Sequence, residues 1–426
     1  MSRPLIYLLL AFVAHTSAIF AATTTNILYT RPASLDTNAL NDSIHRHRMG
    51  TLLIEAAPNT EIQIQQLRHE FWFGAALANH MFGPRADAAT AAKYKQIFLE
   101  NFNAAVTENA LKWHQLEPER GKINYATVDA ILEWTDQNKI PLRGHNVFWG
   151  IPQFVPQWQK DLDNDTLREA VKNHAIEVAR KYRGRLAEYD LNNEMVHGNF
   201  YEQRLGPDIT KKMADWMRAE DPNAVLFLND YDMLTGRRIR DYVAQIQKFR
   251  DQQVPLGGIG VQGHSHGDTF DPTAMQNALD QLAQFKLPIR VTEFNFPGQH
   301  SRHYNKRDAQ LTNEEELAKA QAITDYYRIC FAHPNVDGIL MWGFWEGANW
   351  IPVSSLYRRD WTPTPAAQAY KDLIYNEWWT SEKIKTDSKG HAERKAYYGQ
   401  HRLTANGKQN TITLKKSEGL KQITLK

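Results

Sequence analysis

The feature that most constrains the fold is a regular alternation of short, β-rich apolar stretches with amphipathic helical stretches. Eight strand candidates follow one another in this pattern, at residues 71–77, 103–108, 141–149, 186–194, 224–230, 257–264, 288–295 and 336–345. Eight consecutive β-then-α units predict an α/β fold of the (β/α)8 TIM barrel type. A doubly wound open sheet is the alternative, but the chain lacks the glycine-rich phosphate loop that often accompanies such sheets.

The strand candidates begin with apolar residues and end with polar ones. Glu108 ends the second, Glu194 the fourth and His264 the sixth, while Glu293 lies near the end of the seventh. In barrel enzymes the active site lies at the carboxyl ends of the strands, so we expect these side chains to share one face. A single glutamate at a strand end is more often a surface or ion-pair residue. Two glutamates facing each other across a cleft are what cleavage of a glycosidic bond requires.

The termini outside this pattern have their own signals. Residues 1–22 combine one arginine, an apolar stretch and small residues, as a secretory signal peptide does. Residues 49–70 and 388–426 alternate like β-strands but are too short to form separate cores. We therefore expect them to pair into a small accessory β module beside a catalytic barrel of residues 71–380.

Composition limits the partners of the protein. The net charge is +2, from 50 basic and 48 acidic residues, which does not favour a nucleic-acid partner. No segment after the signal peptide is long enough to span a membrane. The single cysteine, Cys330, excludes an internal disulfide and is expected in a helix core. We expect a secreted monomer, located outside the cell or in the periplasm.

Six motifs make the barrel similar to a known family. They are "FNAAVTENALKW", "RGHNVFW", "LNNE", "GVQGH", "VTEF" and "WGFWEGANW", and with them the barrel resembles glycoside hydrolase family 10, the retaining endo-β-1,4-xylanases. The resemblance implies that Glu194 is the general acid/base and Glu293 the nucleophile. It also implies that Asn193 contacts the sugar 2-hydroxyl and that His264 orients Glu293. The substrate-binding residues that it implies are Glu108, Asn109, Lys112, His145, Trp149, Gln262, Trp342 and Trp350.

The chain departs from the family pattern at two places. The segment Gly150–Gln153 replaces a His followed by Ser-Gln, so polar contacts to the sugar are missing. Asn295 replaces an aspartate two residues after the nucleophile, which removes a negative charge near His264 and is expected to alter the acidic limb of the pH profile. Asp230 and Tyr231 are additional candidates for the cleft.

The expected activity is cleavage of internal bonds of a xylan. The alternatives are a hydrolase of a different β-glycan, an exo-acting or transglycosylating enzyme on xylo-oligosaccharides, and a non-catalytic glycan-binding protein. The expected partner is a polysaccharide. No metal or organic cofactor is expected, because His264 and His266 are suitably close in sequence but lack a third ligand.

Overall fold

The computed structural model describes residues 28–425, so the predicted signal peptide at residues 1–22 lies outside the described residues. The strands are β1 (Met49–Glu55), β2 (Glu61–His69), β3 (Trp72–Leu77), β4 (Ala104–Thr107), β5 (Leu142–Gly144), β6 (Phe148–Trp149), β7 (Glu188–Asn193), β8 (Leu226–Asp230), β9 (Leu256–Val261), β10 (His264–His266), β11 (Ile289–Gln299), β12 (Val336–Met341), β13 (Ser381–Lys385), β14 (His391–Tyr397), β15 (Gly399–Ala405), β16 (Lys408–Leu414) and β17 (Leu420–Thr424).

Helices follow each barrel strand and cover the outside of the barrel, and one further helix, α1, precedes β1. They are α1 (Thr37–Arg48), α2 (Ala88–Asn101), α3 (Trp113–Leu116), α4 (Ala126–Gln137), α5 (Gln157–Lys160), α6 (Asn164–Lys181), α7 (Phe200–Leu205), α8 (Ile209–Glu220), α9 (Ile239–Asp251), α10 (Pro272–Ala283), α11 (Asn313–Ala332) and α12 (Pro365–Lys371). Cys330 is buried in α11, as predicted. Within residues 28–425, no helix combines the length and the apolar character needed to cross a bilayer.

Eight parallel strands close into a barrel. Their order is β3-β4-β5-β7-β8-β9-β11-β12, and the ring closes because β12 pairs with β3. Two short strands, β6 and β10, pair in parallel with β7 and β11 respectively. The predicted (β/α)8 barrel is confirmed, and closure of the sheet excludes the doubly wound alternative.

Close packing between barrel strands fixes one glycine in the first of them. A Cβ atom on Gly74 would lie 2.2 Å from Leu340 Cδ2 and 2.5 Å from the Ala104 carbonyl oxygen. Both neighbours belong to the strands that flank β3, so only glycine allows β3 to approach them at this position.

The terminal segments form two small sheets packed against each other. One has the order β14-β1-β17 and the other β13-β2-β15-β16. Apolar side chains from both sheets share one core, and they include Leu52, Ile54, Ile62, Ile64, Leu403 and Leu414. Strand β13 was not anticipated from the sequence, since Ser381–Lys385 precedes the predicted segment 388–426. Helix α1 was also not predicted, and it packs on α11 through Ser43, whose hydroxyl donates to the Ala332 carbonyl at 2.8 Å.

Candidate active site

A cleft of about 460 Å³ opens at the carboxyl ends of the barrel strands. Its lining contains all the site residues that the family resemblance implies except Asn193, namely Glu108, Asn109, Lys112, His145, Trp149, Glu194, Gln262, His264, Glu293, Trp342 and Trp350. The structure therefore brings together residues from six of the predicted strand-and-loop units in one place, which is the usual location of barrel active sites.

Glu194 is turned into the cleft by the backbone at the end of β7. Its φ is 59°, in the left-handed region, and its N–H donates to the Asn229 carbonyl at 2.8 Å. The indole N–H of Trp149 donates to one carboxyl oxygen at 2.7 Å, and the amide of Gln262 donates to the other at 2.7 Å. Burial, together with the negative charge of Glu293, raises the pKa of Glu194 to about 7 despite these two hydrogen bonds. Glu194 can therefore hold a proton at near-neutral pH.

Glu293 is held in the opposite state. Its Oε1 accepts from Asn229 Nδ2 at 2.9 Å, and its Oε2 lies 3.2 Å from His264 Nε2. Burial alone would raise its pKa, but the positive charges of His145, His264 and Lys112 outweigh burial and lower the pKa to about 2. The two facing carboxyl groups thus differ in protonation, which is the arrangement that separates an acid from a nucleophile.

His264 contacts the nucleophile on one side of its ring and Asn295 on the other. Its Nε2 faces the Glu293 carboxylate, and its Nδ1 lies 2.9 Å from Asn295 Oδ1. Asn295 presents its oxygen here because the Trp350 indole N–H donates to the same atom at 3.0 Å, while Asn295 Nδ2 donates to the Trp342 carbonyl. Both imidazole nitrogens therefore face oxygen atoms that accept hydrogen bonds. Asn295 replaces a charged partner with a neutral one but keeps the acceptor in place.

Asn229 was missed as a site residue, although the polar end of the fifth strand signalled it. Its amide nitrogen donates to Glu293 and, at 3.0 Å, to Asn193 Oδ1, and its own oxygen accepts from Thr292 Oγ1 at 2.7 Å. Asn193 itself is fully buried. Its Nδ2 has no hydrogen-bond partner among the described residues. The structure therefore places Asn193 behind the cleft wall, with its amide nitrogen unpaired among the described residues.

The expectation that Asp230 reaches the cleft is wrong. Asp230 is buried and accepts from the Val196 N–H at 2.8 Å and from His197 Nδ1 at 2.7 Å, so it anchors the loop that follows Glu194. Tyr231 does line the cleft, and its ring stacks on His197 with 3.6 Å between centroids.

A polar cluster from the second strand unit lies beside the aromatic walls. Lys112 donates to Asn109 Oδ1 at 2.8 Å, and its ammonium lies 4.7 Å from the Trp149 ring centre and 5.7 Å from that of Trp342. Burial raises the pKa of Glu108 to about 7, although Lys112 and Asn109 oppose the rise. Ring faces next to amide and charged groups suit a sugar, which has apolar C–H faces and a hydroxyl rim.

The segment Gly150–Gln153, which departs from the family pattern, forms one wall of the cleft together with Phe154. Ile151, Gln153 and Phe154 line the cleft, and the Phe154 ring stacks on Trp149 with 3.8 Å between centroids. The Phe154 ring therefore covers one face of Trp149, and the Trp149 indole N–H donates to Glu194. Gly150 is packed against the loop before α7, since its carbonyl accepts from the Phe200 N–H at 2.9 Å.

A metal centre was not expected from the sequence. Among residues 28–425, no group of three or more His, Cys, Asp or Glu is arranged to hold a metal ion. His266, which is close to His264 in sequence, pairs with Asp232 at 2.6 Å.

A closed (β/α)8 barrel whose cleft holds two carboxyl groups in opposite protonation states defines a glycosidase-type architecture. The family model described as Glycosyl hydrolase family 10 matches residues 65–373, and the chain belongs to this family. The resemblance found in the sequence is thereby confirmed.

Relatives and solved structures agree with this membership. The chain is 34% identical over 372 residues to the anti-sigma-I factor RsgI6 of Acetivibrio thermocellus, covering 86% of this chain and 46% of that protein. It is 34% identical over 289 residues to endo-1,4-beta-xylanase 1 of Arabidopsis thaliana, covering 67% of this chain and 28% of that protein. The chain thus spans less than half the length of these relatives. The fold matches native xylanase 10B of Thermotoga maritima with a TM-score of 0.65 and 23% identity, over 72% of this chain and 96% of that one.

Proposed function

We propose that the protein is a secreted, retaining glycoside hydrolase that cleaves internal β-1,4-xylosidic bonds of xylan by double displacement. The observation that carries this proposal is the opposite protonation of the two cleft carboxyls. The pKa of Glu194 is raised to about 7 and that of Glu293 is lowered to about 2, so near neutral pH one holds a proton and the other is ionised. Retaining hydrolysis needs an acid and a nucleophile in these states at the same time.

In the first step of the proposed reaction, the Glu293 carboxylate attacks the anomeric carbon of the sugar. The bond to the leaving oxygen breaks as Glu194 gives its proton to that oxygen, and a glycosyl ester of Glu293 forms. In the second step, Glu194, now a carboxylate, takes a proton from water, and the water oxygen displaces Glu293. His264 and Asn229 orient the Glu293 carboxylate before it attacks, and they stabilise it again when water displaces it from the ester.

The lining of the cleft supports a β-linked glycan as substrate. Trp342, Trp350 and Tyr304 line the cleft with aromatic rings, and Glu108, Asn109 and Lys112 line it with hydrogen-bonding groups. The relatives named as endo-1,4-beta-xylanases support xylan in particular. Ile151 and Gln153 line the cleft and belong to the Gly150–Gln153 segment, which departs from the family pattern, so we expect this segment to determine which substituted xylans bind.

A reducing-sugar screen tests this proposal. The mature protein is incubated with linear xylan, substituted xylans, mixed-linkage β-glucan and cellulose, with Glu293→Ala as the matched inactive variant. We expect release of reducing sugar from xylan above the other polymers, and loss of release in the variant. Release from cellulose or glucan alone would replace xylan by another β-glycan, and binding without release would make the protein a glycan-binding protein.

Two product analyses test the finer points. Xylohexaose should first yield oligosaccharides of intermediate size, whereas xylose or xylobiose as the sole early product would indicate exo action. Proton NMR during the first minutes should detect the β-anomer before mutarotation, because double displacement retains the anomeric configuration. Initial appearance of the α-anomer would refute the assignment of Glu293 as nucleophile.

We also propose that export removes residues 1–22. Expression of the full chain in a Gram-negative host, followed by cell fractionation and N-terminal sequencing, tests this. A mature protein that keeps residue 1 and stays in the cytoplasm would refute it.

A further inference from the structure

A row of buried charges crosses the barrel interior and ends at Glu293. Arg290 of β11 donates to Glu188 of β7 through two nitrogens, at 3.1 and 3.0 Å. Glu188 also accepts from Arg143 of β5, and Arg143 donates to Asp190 of β7, at 3.2 Å through its Nε and more closely through a second nitrogen. We call the set Arg290, Glu188, Arg143, Asp190 and His145 the charge row.

His145 connects the charge row to the nucleophile. Its Nδ1 lies 2.8 Å from Asp190 Oδ2 and 3.8 Å from Glu293 Oε1. The opposite end of the row is Arg290, whose guanidinium lies 4.0 Å from the Trp72 ring centre and lines a cavity of about 240 Å³. Because Arg290 precedes Glu293 on the same strand and Trp72 begins β3, this cavity lies at the end of the barrel away from the cleft.

Such a row is unusual for a barrel interior, which is commonly filled by branched apolar side chains. Arg143 and Asp190 are fully buried, and Glu188 and Arg290 are almost so. Burying unpaired charges is costly, and even well-paired buried ions stabilise a fold weakly or not at all. Stability alone therefore does not account for the row.

The charges in the row balance in pairs. Arg290 faces Glu188, and Arg143 faces Asp190, so the two guanidinium groups match the two carboxylates. Burial alone would raise the pKa of Glu188, but Arg290 and Arg143 hold it below its usual range, so Glu188 is ionised. Removing either Glu188 or Arg290 leaves one uncompensated charge in a medium that screens it poorly.

From this geometry we infer that Glu188 and Arg290 are positioning residues, which set through Arg143, Asp190 and His145 the electrostatic potential at the catalytic carboxyls. This inference rests on the proposed function. Glu188 and Arg290 touch neither substrate nor reacting atoms. They act by fixing the net charge at the end of the charge row away from the cleft. The other charged or titratable groups that face Glu293 and Asp190 stay unchanged when the pair is altered, and they are Lys112, Glu108, Glu194, Asp230, Tyr242 and His264.

Signed shifts of the pH profile test the inference. Glu188→Gln removes a negative charge, so both limbs of the profile of kcat/KM should move to lower pH, by about half a pH unit. Arg290→Gln removes a positive charge, so both limbs should move to higher pH by a similar amount. The double variant Glu188→Gln/Arg290→Gln should return to the wild-type profile, and Arg290→Lys, which keeps the charge, should not shift it.

A matched control separates this effect from a general disturbance of the lower barrel. Asp337→Asn removes a carboxylate that lines the same cavity and pairs with Lys416 at 3.0 Å and Arg48 at 3.8 Å. At Asp337, Arg290 donates only to the backbone carbonyl, which this substitution keeps. The profile of Asp337→Asn should stay within 0.2 pH unit of wild type, on the order of experimental error. A purely structural role for the pair would lower stability and kcat without moving the limbs in opposite directions.

An NMR titration keeps the test independent of turnover. Protein labelled with [δ-13C]glutamate, with the Glu194 signal assigned by comparison with Glu194→Gln, should show the Glu194 titration moving in the same two directions. If wild type cleaves no glycan but the titration shifts as stated, the proposed function fails and the inference stands. The inference is wrong if wild type is active but a folded single variant leaves both limbs and the Glu194 titration unshifted. It is also wrong if the two single variants shift in the same direction. One folded single variant suffices, because each has its own expected sign.

Discussion

Removal of the amide of Gln262 should move the alkaline limb of activity to higher pH. Gln262 Nε2 donates to Glu194 Oε1 at 2.7 Å, and this bond stabilises the ionised form of Glu194. Gln262→Met keeps nearly the same length and removes the donor. The carboxylate then loses part of its stabilisation, so the pKa of Glu194 rises and the acid stays protonated to higher pH.

The magnitude follows from the strength of the lost bond. A hydrogen bond to a charged group contributes about 1.5–3 kcal/mol, and one pKa unit corresponds to about 1.4 kcal/mol. This gives a shift of about one to two units. Because Glu194 is open to the cleft, water replaces part of the bond, and we expect about one unit. The limb set by Glu194, now about 7, should therefore move to about 8.

The assay is kcat/KM on a xylo-oligosaccharide between pH 4 and 9. At pH 5 Glu194 is protonated in both proteins, so the variant should lose less than about tenfold, through a weaker acid. A xylobioside with an activated aryl leaving group needs no proton from Glu194, so its rate should lack this limb. Gln299→Met is the matched control, because Gln299 lines the same cleft but, in the part of the chain that the structure describes, has no hydrogen bond to Glu194. A limb that stays in place or moves to lower pH in Gln262→Met would refute the reasoning.

Three further changes have signed expectations. Asn295→Asp adds a negative charge beside Glu293, so the acidic limb of kcat/KM should move to higher pH, and an unchanged limb would contradict this. The same change should lower the unfolding free energy by about 1–3 kcal/mol, because a carboxylate oxygen then faces the Trp342 carbonyl. Lys112→Met should raise the pKa of Glu293, so the acidic limb should again move to higher pH. It should also raise KM for xylo-oligosaccharides about tenfold or more, and a lower KM would exclude sugar contact by Lys112. Arg48→Met should lower the unfolding free energy, measured in urea, by about 3 kcal/mol or more, because the buried guanidinium donates at 2.6 Å to the backbone carbonyls of residues 331, 333 and 336. A loss below about 1 kcal/mol would refute this account.

The barrel was predictable because its signal repeats. Eight apolar stretches, most of them with polar ends, each predicted a barrel strand, and barrel enzymes have their active site at the carboxyl ends of the strands. The family motifs then identified most of the cleft, from Glu108 to Trp350, because those residues sit at strand ends where sequence position and spatial position agree. The same logic explains why Asp230 was placed wrongly: a strand end can also point sideways into a loop, and the choice depends on the partner loop.

Other features depend on contacts between distant segments. Asn229 is informative only when both Glu293 and Asn193 are seen beside it, and the stacking of Phe154 on Trp149 depends on the path of an irregular segment. Strand β13 has only one apolar residue facing the module, so its short alternating pattern was too weak to read. The pairing of Glu188 with Arg290 joins opposite parts of the barrel and has no local signature.

Strand β1 lies in the middle of its sheet, between β14 and β17, and it pairs with β17 in parallel. During synthesis β1 leaves the ribosome early, whereas β17 is made after the whole barrel. The apolar side chains of β1, Leu52 and Ile54, therefore lack the core residues that β14 to β16 contribute while nearly the entire described chain is being translated. Premature termination before residue 420 would release a barrel whose first sheet has an open edge, and such an edge invites pairing with other chains.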